Sequence, residues 1–232
     1  MIKITIATPV WKRPAMTDAY LKHIHAHVKY AAKAGIALTV SISGSEGDTT
    51  RKKAVKYGFL YTEIANEPLG AKFNEAVIAG CGYFQPDYIM IMGSDTFMLP
   101  SIWKTYADLI ALGERYIGIT DLYMWDWRDN RAVYWGGYQG DRFGEPIGPG
   151  RVIHKSLLPV DGRIYQDDLN RNLDASFTRK LLEKGIKATT FSAKEYLLVS
   201  CKGDENITDI GKFDQGQLQD VSYHIFDEVM KL

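Results

Sequence analysis

Apolar and polar positions fall into alternating blocks along the first hundred residues. The block that organises the rest is Asp87-Tyr88-Ile89-Met90-Ile91-Met92-Gly93-Ser94-Asp95, an apolar run ending in a small-small-acid triplet shortly before Pro100. A run of about five apolar residues closed by Gly-Ser is the pattern of a central strand with both faces covered. Ligands of open α/β sheets bind beyond the carboxyl ends of such strands, so Asp95 stands where a ligand, metal or phosphate is expected. An Asp at that point equally suits a helix cap or a closed turn.

The blocks before it repeat one unit. Residues 2–8 alternate and are β-branched, a strand ended by Pro9; residues 17–35 place Tyr20, Leu21, Ile24 and Val28 at helical spacing, with Gly35 as the stop. Residues 36–42 predict a second strand, Asp48 or Thr49 opens a short basic helix ending at Gly58, and residues 59–64 predict a third strand. A turn at 66–70 leads into a helix over 71–80. The βαβαβαβ order predicts a mostly parallel sheet with right-handed crossovers, an architecture of the nucleotide-binding kind.

Beyond Pro100 the pattern predicts a helix over 101–112 and a strand over 116–120. Residues 122–127 and 132–138, rich in Trp and Tyr and joined at Arg128-Asp129-Asn130, read as an antiparallel hairpin added to the α/β core. A glycine-rich loop over 136–150 carries Arg142 and Glu145, with Arg151 just after it, and a loop of that length is either functional or disordered. Strands are expected over 152–158, 186–191 and 196–199, and helices over 173–185 and 217–232. There is no internal repeat, low-complexity tract or linker, so one domain is expected. His23, His25 and His27, two apart, are expected to scatter over different helix faces, which argues against a metal cluster.

Charge and composition narrow the function. The 28 basic and 28 acidic residues cancel, so no global field favours nucleic acid, although a local basic strip would serve. The two cysteines, Cys81 and Cys201, lie far apart in apolar surroundings, which excludes a disulfide framework and points to a reducing, cytoplasmic setting. No apolar stretch approaches membrane-spanning length, and the N-terminal run is too short for a signal peptide.

Four segments, in order, resemble glycosyltransferases of the GT-A fold, close in style to glycosyltransferase family 2 and its small phage-type relatives. Thr8-Pro9-Val10-Trp11-Lys12-Arg13 resembles the loop that ends the first strand beside the nucleotide. Asn66-Glu67-Pro68-Leu69-Gly70-Ala71-Lys72-Phe73-Asn74 is similar to the loop and helix start that face the donor. Gly93-Ser94-Asp95 takes the place of the Asp-x-Asp metal motif, and Leu173-Asp174, eleven positions before Gly185, is spaced like the Glu-Asp pair that opens a helix ending in Gly. Two positions depart from the pattern, because Gly93 and Leu173 stand where the family has acids. The resemblance implies a GT-A-like mixed α/β domain over residues 1–232, with a nucleotide-sugar half over 1–100 and an acceptor half over 101–232.

That resemblance implies roles for individual residues. Asp95 would hold Mn²⁺ or Mg²⁺ together with the donor's diphosphate, since these ions take oxygen ligands and lean on substrate phosphates. His224 is a candidate late metal ligand from the C-terminal segment. Pro9, Arg13, Leu69, Gly70, Lys72, Asn74 and Ser94 would face the donor, and Glu46 would contact its nucleoside. Asp174 is the candidate general base, with Asp168 of the Asp167-Asp168 pair as runner-up. An Asp in a first helical turn is equally a plain cap. Trp125, Trp135, Tyr138, Arg142 and Arg151 would form the acceptor side, the rings stacking on sugars or bases and the arginines holding phosphate, against a bland reading as hairpin core and surface pairs. The acceptor is a glycan hydroxyl or a modified DNA base. The alternatives are a nucleotidyltransferase, which usually has a glycine-rich loop where Pro9-Val10-Trp11-Lys12-Arg13 has none, and a non-catalytic carbohydrate- or nucleotide-binding relative.

Overall fold

The computed structural model describes residues 1–203 and 209–231. Its first half follows the expected unit: β1 (Ile2–Pro9), α1 (Pro14–Lys33), β2 (Ile36–Gly44), α2 (Asp48–Lys56), β3 (Leu60–Glu63), α3 (Leu69–Phe84) and β4 (Tyr88–Ile91). Strands β1, β2, β3 and β4 pair in parallel, with β1 between β2 and β4. Period-two alternation in β4 sorts its side chains between two hydrophobic layers. Met90 and Met92 pack with Tyr20, Ile24 and Trp103 on one face, and Ile89 and Ile91 pack with Ala76, Val77 and Phe177 on the other. Helices on both faces are what the unbroken apolar run requires.

The chain continues through β5 (Thr96–Phe97), α4 (Ile102–Ala111), β6 (Tyr116–Ile119), β7 (Leu122–Asp126), β8 (Arg131–Trp135) and β9 (Arg151–His154), then α5 (Leu173–Leu182), β10 (Thr189–Phe191), β11 (Val199–Lys202), β12 (Leu218–Val221) and α6 (Asp227–Met230). Among the described residues the strands form two sheets, ordered β10-β6-β9-β4-β1-β2-β3 and β12-β8-β7-β11-β5. In the first, β9 runs antiparallel to both β4 and β6. The mixed α/β class and the Trp- and Tyr-rich hairpin are as expected.

The hairpin β7–β8 is the middle of a second, mixed sheet, because β11 joins β7 in parallel and β12 joins β8 antiparallel. Two expectations are corrected. The strand expected over 196–199 is shifted to Val199–Lys202, since pairing to β7 and β5 outweighs the polar residues at its end. The helix expected over 217–232 is a strand, a 3-10 turn over Tyr223–Phe226 and the single turn α6. Val221 pairs with Ala132 in the strand, while Phe226 and Val229 are buried; Leu232 lies outside the described residues.

Candidate active site

The carboxyl ends of β1 and β4 open into a cavity of about 770 Å³, walled on the other side by β7, β8 and β11 of the second sheet. Asp95 stands at the corner between β4 and β5, and the corner is held from three sides. The Cys201 amide donates to the Asp95 carbonyl at 2.8 Å, the Met98 amide donates to His23 Nε2 at 3.2 Å, and the Thr96 hydroxyl donates to Asp95 Oδ1 at 3.3 Å. His23 and His27 are four residues apart on one helix face, not scattered, and both are buried with ring centroids 4.3 Å apart. Burial, helped by the neighbouring His27 charge, pushes His23 down to about 3, and burial takes His27 down to about 4. Both are therefore neutral acceptors at neutral pH: His27 Nδ1 receives the Trp103 indole N–H at 2.8 Å. They are scaffold for the Asp95 corner, not ligands.

Arg13 reaches the same corner from the loop after β1. Lys12 and Arg13 have φ of 48° and 50°, left-handed conformations that turn the chain from the strand into α1, where Pro14 suits the first turn. The Arg13 guanidinium lies 3.3 Å from Asp95 Oδ2 and 3.3 Å from the Ser94 hydroxyl. Glu46 does not reach the cavity. It accepts from the Lys12 amide and, at 2.9 Å, from the Thr50 hydroxyl, so it braces the Arg13 loop from outside the cavity wall.

Helix α3 supplies Leu69 and Lys72 to the cavity wall, with Pro9, Ser94, Asp95, Trp135, Tyr138 and Asp174 also on it. Lys72 is buried, donating to Asn66 Oδ1 at 2.9 Å and to the Ser45 hydroxyl at 3.2 Å. Burial, opposed by the more distant charges of Glu46 and Glu63, pushes its ammonium down to about 8. Gly70 and Asn74, expected to face the donor, turn the other way. A Cβ on Gly70 would lie 2.1 Å from the Gln166 carbonyl oxygen, so the glycine permits close packing of the 166–170 loop on α3. Asn74 ties that loop down, donating to the Tyr165 carbonyl at 2.9 Å and Asp167 Oδ1 at 2.8 Å and accepting from the Tyr165 amide at 3.0 Å. Asp168 is exposed and off the cavity wall.

Asp174, in the first turn of α5, lines the same cavity. The Tyr138 hydroxyl donates to Asp174 Oδ2, with Arg142 at 3.7 Å and Arg151 at 3.9 Å. Burial and the Asp174 carboxylate push the Tyr138 hydroxyl up, so it stays a donor. Arg151 does not reach the acceptor side. It is fully buried and donates to the Ile147 and Pro146 carbonyls, to Tyr116 and Thr178 hydroxyls at 3.1 Å, and to the Asp174 carbonyl at 3.1 Å. Arg142 stacks 3.5 Å from the Tyr138 ring centroid and pairs with Glu145 at 2.7 Å, behind the wall. Trp125 points away from the cavity, its neighbours Leu122 and Met124 facing in; it stacks on Tyr223 at 6.2 Å and 7° as part of the cover over the second sheet. His224 is exposed beside Asp227 at 3.8 Å and off the cavity wall.

Residues not anticipated complete the wall: Trp11, Arg171, Ser200, Lys202, Lys212 and Phe213. Ser200 and Lys202 had a legible signal, since Val199-Ser200-Cys201-Lys202 alternates with a polar face. The side chains do not suit a divalent cation held by protein carboxylates. Asp95 has one oxygen on Arg13 and the other on Thr96, and Gly93 brings no acid. Among the described residues no three His, Cys, Asp or Glu side chains converge, and five cations share the cavity wall with three carboxylates.

No protein-family model matches the chain, and no curated protein matches it in sequence. In structure it is similar to S. aureus TarS, a GT-A-type glycosyltransferase. Against TarS 1-349 the TM-score is 0.60 at 15% identity over 87% of this chain and 60% of that one. Against the same protein in complex with UDP-GlcNAc it is 0.60 at 16% identity over 89% and 60%, and in complex with UDP 0.58 at 14% over 87% and 61%. The chain thus spans about three fifths of the length of those structures. The fold is that of GT-A glycosyltransferases. No described helix is long and apolar enough to cross a membrane.

Proposed function

We propose that the chain is a glycosyltransferase that moves a sugar from a nucleoside-diphosphate sugar to a hydroxyl acceptor. The observation that carries this reading is the division of one cavity. Arg13 and Lys72 stand on the wall at the strand ends, where a diphosphate binds in this fold class, and Asp174 lines the same cavity from α5 beside the Tyr138 ring. Cations there take up charge as the bond from the anomeric carbon to the phosphate oxygen breaks. Asp174 accepts the acceptor hydroxyl's proton as that oxygen attacks, and its orientation is fixed beforehand by Tyr138. Trp135 and Phe213, edge to face at 5.2 Å, offer rings on which a sugar face can rest. The site works in the cytoplasm in this reading, in keeping with two free cysteines.

Turnover of a panel of nucleotide sugars by the wild type and by Asp174→Asn tests the reading. Release of a nucleoside diphosphate by the wild type, abolished or severely reduced in the variant, is the expected result. If none of the sugars is consumed and none is bound, the reading fails.

A further inference from the structure

Among the described residues, two buried ammonium groups on the cavity wall donate hydrogen bonds only to neutral groups. Lys72, on α3, donates to an amide oxygen and a hydroxyl, and Lys202, the last residue of β11, donates to the Ser200 hydroxyl at 2.8 Å. Lys72 is 1% exposed and Lys202 8%. A lysine is almost never buried unless paired, because burying a charge without a counter-charge is costly. Two such lysines lining one cavity mark a place prepared for an anion.

The surrounding geometry says which anion. Lys202 sits at the Asp95 corner, since the residue before it donates its amide to the Asp95 carbonyl. Arg13 reaches the same corner from the loop after β1, and Lys72 approaches from α3, so three cations come from three elements. The corner brings no second acid at position 93: Gly93 stands there, and a Cβ on it would press on the Asp95 carboxylate at 2.9 Å and the Thr96 hydroxyl at 3.2 Å, so both side chains would have to turn aside. Among the described residues a dication at this corner would meet one arginine-paired carboxylate beside these cations, whereas a diphosphate would meet complementary charge directly.

We infer that Lys72, Lys202 and Arg13 grip the diphosphate of the donor directly, so that donor binding requires no divalent metal. The inference rests on the nucleotide-sugar reading and deepens it. When the anomeric carbon–oxygen bond breaks, its electron pair stays on the phosphate oxygen, and the two ammonium groups and the guanidinium hold the departing diphosphate. Lys202 is then a binding residue with the role that a metal and a second carboxylate would otherwise fill.

Calorimetric titration of UDP, ADP, GDP and CDP into the full chain, in EDTA and again in Mn²⁺, tests this. The expected result is that at least one diphosphate binds in EDTA within about threefold of its affinity in Mn²⁺. Lys202→Met then weakens that diphosphate about 10- to 100-fold, the loss of one charge-assisted hydrogen bond, and leaves the phosphate-free nucleoside unchanged. Lys202→Arg retains most of the affinity, and Lys72→Gln provides the same comparison from α3 if Lys202→Met does not fold. Binding that appears only with Mn²⁺, or diphosphate affinity unchanged in Lys202→Met and Lys72→Gln, overturns the inference and leaves glycosyl transfer standing. No binding of any diphosphate under either condition removes both.

Discussion

Asp95 and Asp174 line one cavity, each a single acid where the glycosyltransferase pattern has two, and they are held in different ways. Asp95 is held from the cavity side: its Arg13 partner is itself 20% exposed and lines the same space. Asp174 accepts from Tyr138 on the cavity wall but is held from behind by the fully buried Arg151, most of whose other bonds go to backbone carbonyls. A carboxylate whose partner is a cavity-lining cation belongs to a ligand-shaped region. One fixed by a buried scaffold is prearranged before any ligand arrives. The donor wall is therefore expected to respond to its ligand, and the base wall to the integrity of the fold.

The largest effects break this contrast if it is wrong. Asp174→Asn keeps the shape and removes the proton acceptor, so kcat should fall about 100- to 10,000-fold, with KM for the donor changed little. Asp95→Asn should chiefly disturb donor binding, by loosening Arg13. Steady-state kinetics on both variants decides it: equal losses of kcat with unchanged donor affinity would mean that the two acids do one job.

Arg151→Met is next. It leaves the Pro146, Ile147 and Asp174 carbonyls without their donor and should destabilise the protein by about 3–5 kcal/mol, read as a lower midpoint in chemical denaturation. The same change at the partly exposed Arg13 should cost under about 1 kcal/mol. Comparable losses at the two sites would remove the distinction between a scaffolded wall and a ligand-shaped one.

The order of elements from β1 to β4 was legible because each crossover carries its own periodicity and stop signal. Asp95, Arg13, Lys72 and Asp174 were legible because they follow strand ends or open helices. What was not legible depended on which way a side chain turns once two distant segments meet. Gly70 and Asn74 sit one and two positions from cavity-facing Leu69 and Lys72, yet the 166–170 loop claims them. Trp125 alternates with Leu122 and Met124, so its ring falls on the far face of a sheet whose extent only appears when β11 and β12 join it. Lys202 lay three residues beyond the strand expected over 196–199, so its side of the alternating run 199–202 was not carried into the site even though the alternation could be read.

A smaller effect probes that loop packing. In Gly70→Ala the new methyl meets the Gln166 carbonyl oxygen, a backbone atom that cannot rotate aside, so the loop must shift. The expected cost is about 1–3 kcal/mol, a drop of several degrees in Tm, with loss of activity because the same loop leads into Asp174. A variant as stable and active as the wild type would show that the loop tolerates displacement.

The smallest effect sharpens the donor wall through pH. Burial holds the Lys72 ammonium at about 8 against an ordinary 10.5, with Ser45 and Asn66 as neutral contacts and the Glu46 and Glu63 carboxylates opposing the shift. Between those two values the unfolded chain binds more protons than the folded one, so the unliganded protein gains stability as pH rises through that window. Diphosphate binding runs the other way, since the ligand needs the charged amine: affinity should hold below about pH 8 and fall about tenfold between pH 7 and pH 9. Lys72→Met should flatten both trends, stability by removing the buried charge and binding by removing the titrating partner. Affinity in the wild type that stays level from pH 7 to pH 9 would place Lys72 outside the diphosphate's reach and leave Arg13 and Lys202 to hold it.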